Sequence, residues 1–194
     1  MEFSLYYRGE LKSNQSSNVK EHKHQLRQRF HSQLKELWTQ NPLNEFKQYL
    51  LVSSDAKPYH PAEGNLSILH PKSGFIYAPL VSSRIHLIAE LDILILRQDE
   101  PGKIITQGGD IDNRLKTLLD SLKIPDANAL PENVIPQADE QPFYCLLEDD
   151  NLVTRISVRT ERLLEETSSR SEVILLIHVK TKQLKVLVGT LGFP

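Results

Sequence analysis

The segment "RIHLIAELDILILR", residues 84–97, constrains the fold more than any other part of the chain. Ile85, Leu87, Ala89, Leu91, Ile93 and Ile95 recur at every second position, so in an extended strand all six project to one side. So many apolar side chains on one face predict a central place in a covered sheet. The opposite face is mixed: His86, Ile88, Glu90, Asp92 and Leu94. Glu90 and Asp92 are there either as residues of a half-exposed face or as extra acidic ligands of a site. "QDEPGK" closes the strand.

Two stretches carry helical periodicity. From Val19 to Trp38 the apolar residues Leu26, Phe30, Leu34 and Leu37 fall at spacings of four, four and three, and Trp38 joins them. Asn18 is a candidate cap and Pro42 stands just past the end. The other faces carry Lys20, Lys23, Arg27, Arg29 and Lys35, which suit either a solvated surface or a face that tracks phosphates. His22, His24 and His31 have no cysteine or carboxylate partner at zinc-binding spacing. The second helix runs from about Asp110 to Lys123, with Ile111, Leu115, Leu118, Leu119 and Leu122 as a stripe that must face the sheet.

Further strands are predicted at "EFSLYYR", "NLVTRISVRTERL" and "EVILLIHVK", with "QLKVLVGTLGFP" as a further edge. In "NLVTRISVRTERL", Ile156 and Val158 face inward, and Arg155 and Arg159 share the other face. "FIYAPLV" is a weaker strand pattern because Pro79 interrupts it. "LNEFKQYLL" suits a short helix. "IPDANALPENVIPQADEQPF" holds four prolines and no periodicity, which predicts a mobile arm or lid over 124–147. The order is strand, helix, insertion, strand, helix, insertion, strand, strand. It predicts an α/β or α+β fold: residues 1–194 as one domain, a mixed sheet with two helices packed on it, and insertions at about 41–75 and 124–147.

Composition excludes some function classes. Net charge is -2 at pH 7, so the chain is no uniformly basic nucleic-acid coat, and any such contact must come from local patches. Cys145 is the single cysteine, which rules out a disulfide framework within one chain and favours a reducing, cytoplasmic setting. The first residues carry charges and no apolar run, and no stretch approaches the ~20 apolar residues of a membrane span. No membrane partner is expected.

The acidic residues of "GGDIDNRLKTLLDSL" and "EDDNLV" carry the chemistry. Asp110 and Asp112 crowd a helix start, Lys116 follows one turn later, and Asp149 and Asp150 stand at the mouth of a strand. An aspartate at a helix N-terminus stabilises it by about 0.5–2 kcal/mol through capping. One carboxylate suffices for that purpose. Several like charges held together are costly unless a cation sits among them, and hard cations such as Mg²⁺ take carboxylate oxygens. Spacing alone leaves a capped, ion-paired helix and a metal site both open.

"DIDNRLKTLLDSL" followed by "DDNLV" closely resembles the signature of the RusA-type Holliday-junction resolvases, Mg²⁺-dependent endonucleases of bacteria and phages. The match covers residues 108–123 and 148–156. The resemblance implies that Asp110, Asp112 and Asp150 are the metal-binding carboxylates, with Asp149 as a further candidate ligand. It implies that Lys116 is the essential lysine of the site. Asn113 and Asp120 match signature positions without an assigned role. It further implies cleavage of branched DNA in recombination and repair, Mn²⁺ as a substitute for Mg²⁺, and a homodimer making two symmetric cuts. The alternative is a nuclease-like fold that binds nucleic acid or regulates without cutting.

Overall fold

The alternating strand is the spine of the molecule, as its pattern demands. In the computed structural model, which describes residues 1–50, 67–98, 111–167, 169 and 171–186, β4 spans Leu87–Arg97. Its odd-numbered residues are buried and its even-numbered ones half-buried, alternating without a break. The chain reaches it through β1 (Glu2–Glu10), α1 (Val19–Leu37), a 3-10 segment at Leu43–Leu50, β2 (His70–Lys72) and β3 (Phe75–Val81). After it come α2 (Ile111–Leu122), β5 (Phe143–Leu147), β6 (Val153–Arg162) and β7 (Glu172–Gln183).

The fold is α+β, with two mixed sheets. The larger has the order β1-β7-β4-β6, antiparallel except for the parallel pair β4 and β6. The smaller has the order β2-β3-β5, with β3 and β5 parallel. The turn between β2 and β3 is two residues, Ser73 and Gly74, with φ of 50° and 81°. Positive φ at both positions is the turn whose twist matches a hairpin, and glycine enters that region without a Cβ penalty.

One face of the larger sheet is dry. Leu5, Leu87, Ala89, Leu91, Ile93, Ile95, Val173, Leu175, Ile177 and Val179 form it. Leu26, Phe30 and Leu34 of α1 and Leu118 and Leu122 of α2 close over it, with Trp38 beside them. The α1 and α2 stripes therefore lie where their periodicity put them. Asn18 occupies the cap position of α1 but makes no side-chain capping hydrogen bond. The outer edge of β1 is closed by the Gln33 side chain, which accepts the Tyr6 amide proton at 2.9 Å and donates to the Tyr6 carbonyl at 2.8 Å. A side-chain amide thus takes the place of a neighbouring strand.

Three expectations change. Pro79 does not weaken β3: the β2 pairing ends at Tyr77, so Pro79 meets only Cys145 of β5 and no ladder partner needs its missing N–H. The segment 124–147 is no loose arm, because it contains β5 and is tied to α1 along its length. His31 Nδ1 accepts the Tyr144 amide proton at 2.8 Å, so Nε2 carries the ring proton and donates to the Asp139 carbonyl at 3.2 Å. Arg27 reaches the Ala129 carbonyl, Lys35 the Asp139 carbonyl and Gln28 the Glu140 carboxylate. The basic residues of α1 divide accordingly: Lys23 and Arg27 are buried, whereas Lys20 and Arg29 are exposed. "LNEFKQYLL" forms a 3-10 segment with a kink at Phe46. The further edge expected at residues 183–194 lies largely outside the described residues.

The histidines of α1 are core residues. His24 stacks on Phe143 and meets the edge of Phe75, and His31 lies 4.6 Å from the Phe143 ring. A second small core of Phe75, Tyr77, Ile124, Leu130, Phe143 and Cys145 sits beside them. Burial pushes the His24 and His31 pKa values below the ordinary value and holds both rings neutral.

Candidate functional site

Asp112 lies in the first turn of α2, exposed, and its carboxylate accepts the Asn113 amide proton at 2.8 Å. Lys116 is exposed one turn later on the same face. Asp110, with Gly108 and Gly109, lies outside the described residues. Behind this face Arg114 is buried and donates to the Leu11 carbonyl at 2.6 Å, which ties α2 to the end of β1. Asp120 is held from α1: Lys23 Nζ stands 2.6 Å from its carboxylate and also 2.6 Å from Asn14 Oδ1. Asp120 is thereby built into the α1–α2 contact.

The strand mouth is fixed by three neighbouring carboxylates with different duties. The Glu148 carboxylate accepts the Ser82 hydroxyl at 2.7 Å and the Ser83 amide at 2.8 Å. Burial works to raise the Glu148 pKa, but those two donors and the nearby His70 ring hold it below the ordinary value. Asp149 caps the turn Asp150–Leu152 by accepting the Asn151 amide proton at 3.0 Å. Asp150 is left facing α2, where Lys123 Nζ lies 2.9 Å from its Oδ2. That hydrogen bond holds the Asp150 carboxyl below its usual pKa, against the smaller opposing effect of burial. On Lys123 burial works downward, but Asp150, Asp149 and Asp120 outweigh it and raise the pKa.

The two acidic segments, 27 residues apart at this contact, are joined by backbone as well as by charge. Lys123 forms a parallel bridge with Leu147, and the Ile124 amide donates to the Leu147 carbonyl at 3.1 Å. This pairing brings the end of β5, and so Asp149 and Asp150, to the last turn of α2. Asp112 stands at the other end of the helix, about 16 Å of axial rise from Lys123. Among the described residues no three His, Cys, Asp or Glu side chains come close enough together to hold a metal ion. The donors present, Asp112, Asp149 and Asp150, are all carboxylate oxygens, the chemistry that hard divalent cations take. The ammonium of Lys123 stands as the cation at Asp150.

Glu90 and Asp92 do not join this cluster. They project from the face of the larger sheet opposite the helices, where Arg155 reaches Asp92 at 2.8 Å and Glu90 at 3.6 Å. Lys182 also contacts Glu90, and Lys180 pairs with Glu2 at 2.5 Å. Arg159 faces Glu161 at 3.8 Å on the exposed edge strand. Ile156, expected to face inward, is 41% exposed because β6 borders the sheet.

Sequence reasoning passed over Lys123 and Glu148 and read Lys23 as a surface or phosphate-tracking cation. A signal for Lys123 existed: Asp112, Lys116 and Lys123 fall within about 40° of one another around a helix. Lys23 and Glu148 had none, since their partners lie 97 and 66 residues away. Comparison of the chain with protein-family models, curated proteins and solved structures gave no match.

Proposed function

We propose that this protein is a Mg²⁺-dependent endonuclease that hydrolyses phosphodiester bonds in branched DNA, with four-way Holliday junctions as substrate and a homodimer as the acting form. The reading starts from the acidic signature shared with RusA-type resolvases. The observation that carries it is the contact between Lys123 and Asp150, which seats the Asp149–Asp150 strand mouth against the helix bearing Asp112 and Lys116.

The resemblance would assign the ion to Asp110, Asp112 and Asp150, with Asp149 beside them; Asp112 and the Asp150 contact stand at opposite ends of α2. When bound, a divalent cation supplies a polarised phosphate oxygen and a more acidic water. The chain supplies placement and charge. Glu148, locked to Ser82 and Ser83, fixes the backbone from which Asp149 and Asp150 project. Lys116, exposed on the Asp112 face, presents an ammonium that stabilises negative charge on a phosphate.

The test is cleavage of four-way, flap and linear DNA by purified protein, with and without Mg²⁺. Cation-dependent cutting of the junction is expected, together with loss of most activity in Asp110→Asn, Asp112→Asn and Asp150→Asn. Full activity in all three variants would end the assignment. A second reading, junction binding without cutting, is favoured by the placement of Asp112 and Lys123 at opposite ends of α2. Binding with no cleavage at any Mg²⁺ concentration would select it.

A further inference from the structure

We propose that the free edge of β6 is a self-association surface: β6 of one chain pairs antiparallel with β6 of a second copy about a two-fold axis at Val158, joining the two larger sheets into one. This pairing supplies an interface for the homodimer of the proposed function and does not depend on cleavage.

The two edges of the larger sheet are finished differently. That of β1 is closed by the Gln33 side chain. At the other edge β6 is ten residues long and pairs with β4 alone among the described residues. The Leu163 amide donates to the Arg97 carbonyl at 2.6 Å, which sets the phase of the ladder. Odd-numbered residues of β6 turn their backbone groups to β4, and Ile156, Val158, Thr160 and Arg162 turn theirs outward. Among the described residues none hydrogen-bonds to those outward groups. Such a row is a template for another strand.

The side chains select a second copy and one register. Outward groups meet outward groups across a two-fold axis only when the axis passes through a residue position. Placed at Val158, it sets Arg155 opposite Glu161 of the second copy, and by symmetry does so twice. Arg159 then faces Ser157. Moved to Ser157, the axis sets Arg155 opposite Arg159 twice; moved to Arg159, it sets that residue against itself. Axes further toward either end pair fewer residues. Opposite charges facing across a ladder attract and like charges repel, so the Val158 register is favoured. The Arg155 and Glu161 side chains are 56% and 55% exposed, open to a further partner. The same register lays Thr160 of the second copy over Ile156, which is 41% exposed.

Sedimentation equilibrium of the full chain, without DNA or metal, tests the pairing. One strand pair makes a small interface, so dimers are expected at protein concentrations on the order of micromolar. Glu161→Arg turns both attractions into repulsions at an exposed position and should weaken the dimer about 10-fold or more. Arg159→Gln should change it by less than about 2-fold. Val158→Cys should form a disulfide-linked dimer under mild oxidation, because residues facing each other in this way have Cα atoms about 5.5 Å apart, within disulfide reach. Arg159→Cys, displaced along the ladder to more than ~7 Å from its copy, should not. The native Cys145 is buried and does not compete. A dimer that Glu161→Arg does not weaken, or crosslinking of Arg159→Cys in place of Val158→Cys, overturns this interface alone. A single-chain mass up to millimolar protein overturns the interface and the homodimer together, while cleavage is read separately by the junction assay.

Discussion

Lys23→Met should destabilise the protein by about 2 kcal/mol, and the structure gives the reason. Lys23 Nζ lies 2.6 Å from the Asp120 carboxylate, with side-chain exposures of 10% and 24%. Methionine keeps most of the apolar stem and removes the charge. Breaking a buried pair by deleting one partner costs about 3–5 kcal/mol, because the remaining charge is stranded. Asp120 retains some water and lies within the field of Lys123, which reduces the expected cost to about 2 kcal/mol. The Asn14 carbonyl also loses its 2.6 Å donor. For a chain of this size the melting temperature should fall by about 4–8 °C. Denaturant unfolding of Lys23→Met, Asp120→Asn and the double variant closes the cycle. A coupling of at least ~1 kcal/mol is expected for a contact of this kind. Additive single effects, or a Lys23→Met loss below ~0.5 kcal/mol, would show a solvent-screened pair and refute the reasoning. The result also bears on Asp120, a signature residue that the structure makes part of the scaffold. Asp120→Asn should melt earlier yet cut at an undiminished rate at temperatures where it is folded.

Lys116→Ala should slow single-turnover junction cleavage by about 10²-fold, as loss of one preorganised electrostatic donor does, with only a small change in melting temperature; near-normal cleavage with a lowered melting point would assign it to the helix instead. Acid should destabilise the fold between about pH 6.5 and 5, because burial depresses the pKa values of His22, His24, His31 and His70 while the unfolded chain still takes up protons near 6.5. The unfolded state then binds more protons, so stability falls as pH falls through that window, and a melting temperature that stays level or rises from pH 7 to 5 contradicts the assignment.

Local pattern determined the spine and its cover. The alternation of Leu87 to Ile95 and the stripes Leu26–Phe30–Leu34 and Leu118–Leu122 were legible because burial there follows the geometry of each element by itself. Asp112, Lys116 and Asp150 stood out for a similar reason, as carboxylates and a lysine set in short, dense motifs. Tertiary structure alone decided the rest. β5 was hidden at the end of a proline-rich stretch, since its residues become a strand only by pairing with β3, more than sixty residues earlier. The α1 cations Lys23 and Arg27 read as surface charges because the partners that bury them, Asp120 and the Ala129 carbonyl, lie about a hundred residues away. Asp150 could be read as acidic from its letter, but its cation depended on Leu147 pairing with Lys123. A sequence states which side chains carry charge, whereas the electrostatic environment of each is set by groups that only the fold brings within a few ångströms.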